Sequence, residues 1–329
     1  MNFTLTVLGT ASAKPVPNRF QSAQVLSVRG RFFLIDCGEG AQTRMVQNNI
    51  SEMKIDSIFI SHIHGDHISG LFPLLSTMGL CKRTQPLNIY APAAFAPLLK
   101  VFLSYNGDGV DFEVRHIPMN MKSPEIIYQT KSLEVSAFPL NHRIPTYGYL
   151  FREKEPQRNI RKDAIPEYGF TIKEMAALKA GEDIIRHAGP DEIPSIENDF
   201  TKYSGTDKPL IIKNSDVTYK PYNPRSYAYC SDTAPFPKLA SWVKGVDLLY
   251  HETTYLDEMR EQANQRHHST TIQAATCARD AGVKKLIIGH YSSRCLDSKK
   301  YQDECRTVFP ETYAANDGDV FDIPLEKLG

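Results

Sequence analysis

The stretch FISHIHGDHISG, residues 59–70, places three histidines and an aspartate within six positions: His62, His64, Asp66 and His67. Zinc takes neutral imidazole nitrogen and carboxylate oxygen, and hydrolytic sites keep one position open for water. Four such groups this close can serve two metal ions, two groups each. A strand end running into a tight turn fans them out. Gly65 is expected to give the backbone freedom for that turn, with Asp66 and His67 beginning the next helix.

A pair of ions needs further ligands. Four later stretches offer them, each at the end of a strand-like run: NHRIPTYGY with His142, YCSDT with Asp232, YHETTY with His251 and Glu252, and GHYSSR with His290. Asp232 is the natural bridge, because one carboxylate spans two cations about 3.5–4 Å apart.

Strands are predicted at 3–9, 24–30, 31–37, 57–62, 86–92, 225–232, 246–253 and 284–291, and helices at 39–49, 66–79, 93–104 and 270–281. This alternation predicts an α/β protein with sheets covered by helices. Strand C-termini converging on one edge are where such folds place sites. Residues 152–220 break the pattern with polar sequence and a short helical piece near 172–180. Loops of that length inside a domain are usually functional or mobile.

Composition narrows the function. The 329 residues carry 38 basic and 38 acidic side chains, so nucleic-acid binding needs a local patch rather than a global field. Six cysteines without a C-x-x-C pair point to reduced thiols rather than a disulfide framework or a zinc knuckle. With no apolar run of membrane-spanning length and no signal-like start, a cytoplasmic protein without membrane attachment is expected.

His62-x-His64-x-Asp66-His67, with later His142, Asp232 and His290, resembles the metallo-β-lactamase superfamily. That implies an αββα sandwich, here with an inserted protruding arm, and a dinuclear zinc centre on one edge. The blocks GTASAKPVPNRFQSA (9–23), LIDCGEGAQTRM (34–45), SDT (231–233), HET (251–253), HHST (267–270) and GHYSSR (289–294) are similar to those of the ribonuclease Z family, the tRNA 3′-processing endonucleases. The likeness spans nearly the whole chain outside 152–220. It implies a catalytic domain of 1–151 with 221–329, and an arm at 152–220 as a tRNA-binding exosite.

By the same resemblance, two Zn2+ bind per chain, with Mn2+ able to replace them. One is held by His62, His64 and His142, the other by Asp66, His67 and His290, with Asp232 bridging. Asp66 acts as general base, and Glu252 with His268 handles the leaving-group proton. His267 stands where a small residue is usual, and His251 is structural. Substrate contacts are expected from Arg294 and Ser292, and from Arg158, Arg161 and Lys162 of the arm. Precursor tRNA is the implied substrate and a homodimer the implied assembly. One departure is that AIPEYGFTIKEMAALKAGEDI replaces the Gly-Pro-rich knob common in bacterial arms.

Two other readings compete. A small-molecule or cyclic-nucleotide phosphodiesterase of the same superfamily would use the same ions and proton pair. A non-catalytic RNA-binding scaffold would not need so full a ligand set. Redox relatives typically carry a carboxylate where His64 stands, and imidazole there suits zinc hydrolysis better.

Overall fold

The computed structural model describes residues 2–106, 109–187 and 209–328. The chain begins with β1 (Phe3–Gly9), β2 (Ala23–Val28) and β3 (Arg31–Cys37), paired antiparallel. Arg29 and Gly30 join β2 to β3, both at positive φ (50° and 84°), as a two-residue hairpin turn of this hand requires. Next come α1 (Ala41–Gln47), β4 (Ile55–Phe59), α2 (Gly65–Ile68), α3 (Leu71–Leu80), β5 (Leu87–Pro92), α4 (Ala96–Asn106) and β6 (Val114–Met119). Strands β3 to β6 are parallel neighbours, and the intervening helices are the crossovers that parallel pairing demands. The meander β7 (Glu125–Gln129), β8 (Leu133–Pro139) and β9 (Tyr147–Glu153) completes this half.

Two differences from the sequence expectation bear on the site. The strand predicted over 57–62 ends at Phe59, so residues 60–62 leave the sheet and deliver His62. The helix predicted over 66–79 is broken between α2 and α3. There Gly70 lies so close to Gly38 that a Cβ on it would stand 2.1 Å from the Gly38 carbonyl oxygen. A Cβ on Gly38 would in turn stand 2.4 Å from the Asp66 carbonyl oxygen. Gly65 meets open space at an ordinary φ, so the freedom expected of it is unused. The close approach is made at Gly38 and Gly70.

A smaller unit spans Lys154–Pro224 with Leu325–Gly329. It contains β10 (Asn159–Ile160), α5 (Ala164–Tyr168), α6 (Ile172–Ala180), β11 (Ile184–Arg186), β12 (Leu210–Ile212), α7 (Asn214–Val217) and β13 (Thr218–Tyr219). Helix α6 starts in a capping box, with Thr171 accepting from the Glu174 amide and Glu174 accepting from the Thr171 amide. Ala164, Phe170, Leu178, Ile184, Ile212 and Val217 form its core. The catalytic part expected from the sequence includes 325–329. The structure groups them with this unit, where Asn223 donates to the Glu326 carbonyl and Leu328 to that of Pro221. Residues 188–208 of the expected arm lie outside the described residues.

The larger unit resumes at Arg225. It adds β14 (Ser226–Cys230), α8 (Leu239–Trp242), β15 (Leu248–Glu252), α9 (Arg260–Arg266), α10 (Thr271–Ala281), β16 (Lys285–Gly289), α11 (Ser298–Arg306), β17 (Thr312–Ala314) and β18 (Val320–Asp322). Two seven-stranded sheets result, ordered β18-β1-β2-β3-β4-β5-β6 and β17-β16-β15-β14-β9-β8-β7. Phe3, Phe33 and Phe59 of the first face Tyr149, Tyr227 and Tyr250 of the second in one core. Helices α1, α3 and α4 cover the outer face of the first sheet, and α8, α10 and α11 that of the second. The layers are therefore αββα.

Candidate metal centre

Residues that follow β4, β8, β14 and β16 meet α2 at one edge of this sandwich. Ligand atoms of His62, His64, His142 and Asp232 lie within 4.8 Å of one another, as do those of Asp66, His67 and His290. Asp232 divides its carboxylate between the groups. Its Oδ2 is 3.6 Å from His62 Nε2 and 3.9 Å from His142 Nε2, while Oδ1 is 3.2 Å from His290 Nε2 and 3.5 Å from His67 Nε2. Within the second group, Asp66 Oδ2 is 3.5 Å from His67 Nε2 and 3.3 Å from His290 Nε2. Ligands held tetrahedrally at about 2.1 Å from a zinc ion stand roughly 3.4 Å apart, so these spacings suit ligands around ions.

The hydrogen bonds behind the imidazoles set their tautomers. His67 Nδ1 donates to Asp36 Oδ2 at 2.8 Å, His290 Nδ1 to Thr254 Oγ1 at 2.9 Å, His62 Nδ1 to Ser61 Oγ at 3.0 Å, and His142 Nδ1 to the His267 carbonyl at 3.0 Å. With Nδ1 so engaged, each ring turns its Nε2 inward, as an outer partner does for a metal-binding histidine. The Nε2 atoms of His67 and His290 face each other at 3.3 Å, a contact that needs a proton or a metal ion between them. Among the described residues, buried His62 Nε2 and Asp232 Oδ1 have no hydrogen-bond partner. The residues present therefore fit a pair of divalent cations.

Electrostatics separate the two groups. Burial, together with neighbouring histidines, holds His62 well below its ordinary pKa, and burial also lowers His64 and His142. These three are neutral, the form that binds metal. His67 is pushed well above its ordinary value: burial opposes this, but Asp66, Asp232 and Asp36 surround it. Burial would raise Asp66, yet His67 and His290 hold it well below the carboxylate range. The second group thus gathers three carboxylates, Asp66, Asp232 and Asp36, around one imidazole, negative charge that favours a cation at this place.

Beside this cluster, Glu252 Oε1 accepts from His268 Nδ1 at 3.0 Å. Oε1 also accepts from the Ser269 amide and Oε2 from the Thr254 amide. Burial works against its ionisation, but His268 and these donors bring Glu252 down to about 2. Burial likewise works against His268, which the charges of Glu252 and Asp232 carry up to about 9.

The doubled histidine has a local explanation. Helix α9 ends with His267 in the left-handed region (φ 58°), where the His267 amide bonds Asn264 O and the His268 amide bonds Ala263 O, the pattern of a Schellman cap. Thr270 then opens α10 in a capping box with Gln273. Between the two caps, His268 turns to Glu252 while His267 offers its carbonyl to His142. His251 is fully buried and donates from Nδ1 to the Glu252 carbonyl.

The expected substrate residues lie farther out. Exposed Arg294 donates to Gln262 rather than to a carboxylate, and the Ser292 hydroxyl accepts from the Arg294 amide. In the smaller unit, Arg158 donates from Nε to Thr218 Oγ1 at 2.6 Å, which commits part of its guanidinium, whereas Arg161 and Lys162 are exposed.

Sequence reasoning missed Asp36, Ser61 and Thr254. Asp36, at φ 53°, accepts from the Ser61 amide and hydroxyl, His67 and Tyr229. The signal available was its place at the end of an apolar strand within the block LIDCGEG.

A family model described as "Anti-Pycsar protein Apyc1" matches residues 3–155, under half of the chain. Ribonuclease Z of Bacteroides thetaiotaomicron is 36% identical over 315 residues, covering 96% of this chain and 93% of that protein. Ribonuclease Z of Phocaeicola vulgatus is 37% identical over 326 residues, covering 99% and 98%. Among solved structures, human tRNase Z, short form, matches with a TM-score of 0.66 at 24% identity, covering 98% of this chain and 99% of that one. The metallo-β-lactamase fold protein YhfI from Bacillus subtilis matches with a TM-score of 0.66 at 16% identity, covering 98% and 100%. These two structures establish the fold as that of the metallo-β-lactamases.

Proposed function

Because the chain belongs to the ribonuclease Z family, we propose that it is a metal-dependent endoribonuclease that removes 3′ trailers from precursor tRNA. The products are a 3′-hydroxyl on the tRNA and a 5′-phosphate on the trailer. The observation that carries this reading is Asp232, whose two oxygens serve two separate ligand groups. When bound there, two divalent cations acidify a water and neutralise charge building on the phosphate.

The chain's own residues supply the proton steps. Asp66, kept ionised, takes a proton from the attacking water. His268, kept charged and aimed by Glu252, gives its proton to the departing 3′ oxygen. Arg294 and Ser292 are the proposed phosphate contacts outside the cluster. Arg161 and Lys162, with the rest of the Arg158 guanidinium, make the smaller unit the salt-sensitive exosite for the tRNA body. Zinc is the proposed ion, since imidazole and carboxylate suit it, with manganese able to substitute. A homodimer acting in the cytoplasm completes the proposal; light scattering of the purified protein tests the dimer.

The test is cleavage of a 3′-extended precursor tRNA by the zinc-loaded protein and by Asp66→Ala, with the cut site mapped. A cut beside the discriminator base that Asp66→Ala abolishes is expected. Turnover of a small phosphodiester such as bis-p-nitrophenyl phosphate, with no RNA cut, would replace this reading with the small-molecule phosphodiesterase.

A further inference from the structure

Thr254 is 4% exposed and ends in a hydroxyl with three polar neighbours. Its Oγ1 lies 2.8 Å from Glu252 Oε2, 2.9 Å from His290 Nδ1 and 3.2 Å from His268 Nδ1. A hydroxyl carries one proton and two lone pairs, and an ionised carboxylate accepts only. The Thr254 proton therefore goes to Glu252, and its lone pairs are left for donors. His290 Nδ1 must then carry a hydrogen, so the neutral ring keeps its lone pair on Nε2, which stands 3.3 Å from Asp66 Oδ2 and 3.2 Å from Asp232 Oδ1.

The backbone makes this arrangement rigid. Thr254's own amide donates to the same Glu252 oxygen at 2.8 Å. The neighbouring Thr253 amide bonds the Gly289 carbonyl, and the Thr254 carbonyl accepts from the Ser292 amide. The segment after β15 is thus laced to both sides of His290, which itself adopts a left-handed φ of 59°. A non-glycine residue in that region is strained and persists where its surroundings over-determine it.

We propose that Thr254 is a positioning residue whose single hydroxyl joins the Glu252–His268 proton pair to the ligand His290, fixing the metal-binding tautomer of one and the aim of the other. This rests on the two-ion reading above. It implies that the tightness of the ion at Asp66, His67 and His290 and the delivery of the leaving-group proton are set together.

Thr254→Val removes the hydroxyl at nearly constant volume, and Thr254→Ser keeps it. Each is loaded with zinc and dialysed against graded chelator, and bound zinc per chain is counted. Nitrogen-15 spectra of the imidazoles report the His290 tautomer, and steady-state cleavage of precursor tRNA gives kcat and KM. Thr254→Val is expected to hold its second zinc about 10–100-fold less tightly, to mix the His290 tautomers, and to lower kcat with KM unchanged. Thr254→Ser should restore all three. A Thr254→Val protein with wild-type zinc retention and tautomer overturns the inference. So does a Thr254→Ser protein as impaired as Thr254→Val, because the hydroxyl would then not be what restores the site. Should Thr254→Val fail to fold, Thr254→Cys takes its place with the same expected losses. Zinc retention and tautomer are read without RNA, so a wild type that fails to cut tRNA counts against the nuclease reading while Thr254 is still decided.

Discussion

Two buried carboxylates mark opposite ends of β14. Glu153, beside Arg225 at the start of the strand, and Asp232, two residues past its end, are each 2% exposed. Glu153 is saturated by the chain. Arg225 donates to it from Nε at 2.9 Å, Nη2 at 2.9 Å and its amide at 3.1 Å, and Arg29 donates from Nε at 2.8 Å. Asp232 faces imidazoles, and its Oδ1 has no hydrogen-bond partner among the described residues. A buried charge costs several kcal/mol unless it is paired. One carboxylate is therefore a finished structural element, and the other is finished by something from outside the chain. Arg225 Nη1 also donates to the Ile323 carbonyl, so one guanidinium anchors the chain near residues 153, 225 and 323, close to each point where it passes between the two units.

Removing each charge should have opposite consequences. Asp232→Asn keeps the shape and removes the bridge. It is expected to lower cleavage by more than about 10³-fold, the scale of losing one member of a catalytic constellation, and to leave fewer than two zincs per chain. Its metal-free form should unfold no more easily than metal-free wild type, because a poorly paired buried charge has gone. A clear loss of metal-free stability would show Asp232 to be structural. Arg225→Met does the reverse. It strands Glu153 and should cost about 3–5 kcal/mol in denaturant unfolding, with as much metal bound as in wild type. Loss of zinc without loss of stability would break the distinction between the two ends.

How far the sequence discloses these two ends differs for physical reasons. The candidate metal cluster is legible because His62, His64, Asp66 and His67 are nearly consecutive, and because His142, Asp232 and His290 each close an apolar strand. The strands at 3–9 and 31–37 are legible as apolar runs buried in the sandwich. Asp36 is not, since its role arises only when β3 lies beside β4 and brings Ser61 against it. Thr254 is hidden likewise, because its partners His268 and His290 come from other elements. The break between α2 and α3 depends on contact between Gly38 and Gly70, which no local pattern records. Strand β6 escapes notice because VRHIPM is mostly half-exposed and carries a proline, and α11 because SKKYQDECR buries only Tyr301 and Cys305. The Glu153–Arg225 pair is 72 residues apart in sequence, and Arg225 reads there only as the first residue of a strand.

The smallest effect concerns acid. Burial would raise Glu153, but its bonds to Arg225 and Arg29 hold it below its ordinary value of 4.5. A carboxyl lowered in the folded state contributes stability that is present above its unfolded value and is lost as pH falls through the folded one. In wild type the pair therefore weakens only below about pH 4.5. In Arg225→Met, Glu153 keeps Arg29 but loses its main partner, so burial lifts its pKa and mild acid relieves the stranded charge. The stability gap between wild type and Arg225→Met should accordingly narrow as the pH is lowered from 7 to 4. Acid also strips zinc from histidine ligands, but both proteins share the same metal centre, and that loss cancels in the difference. Urea unfolding of the two proteins across this range measures the gap. A gap that stays constant or widens would mean that Arg225 acts through its bond to Ile323 and its packing over the Phe3 ring rather than through the charge of Glu153.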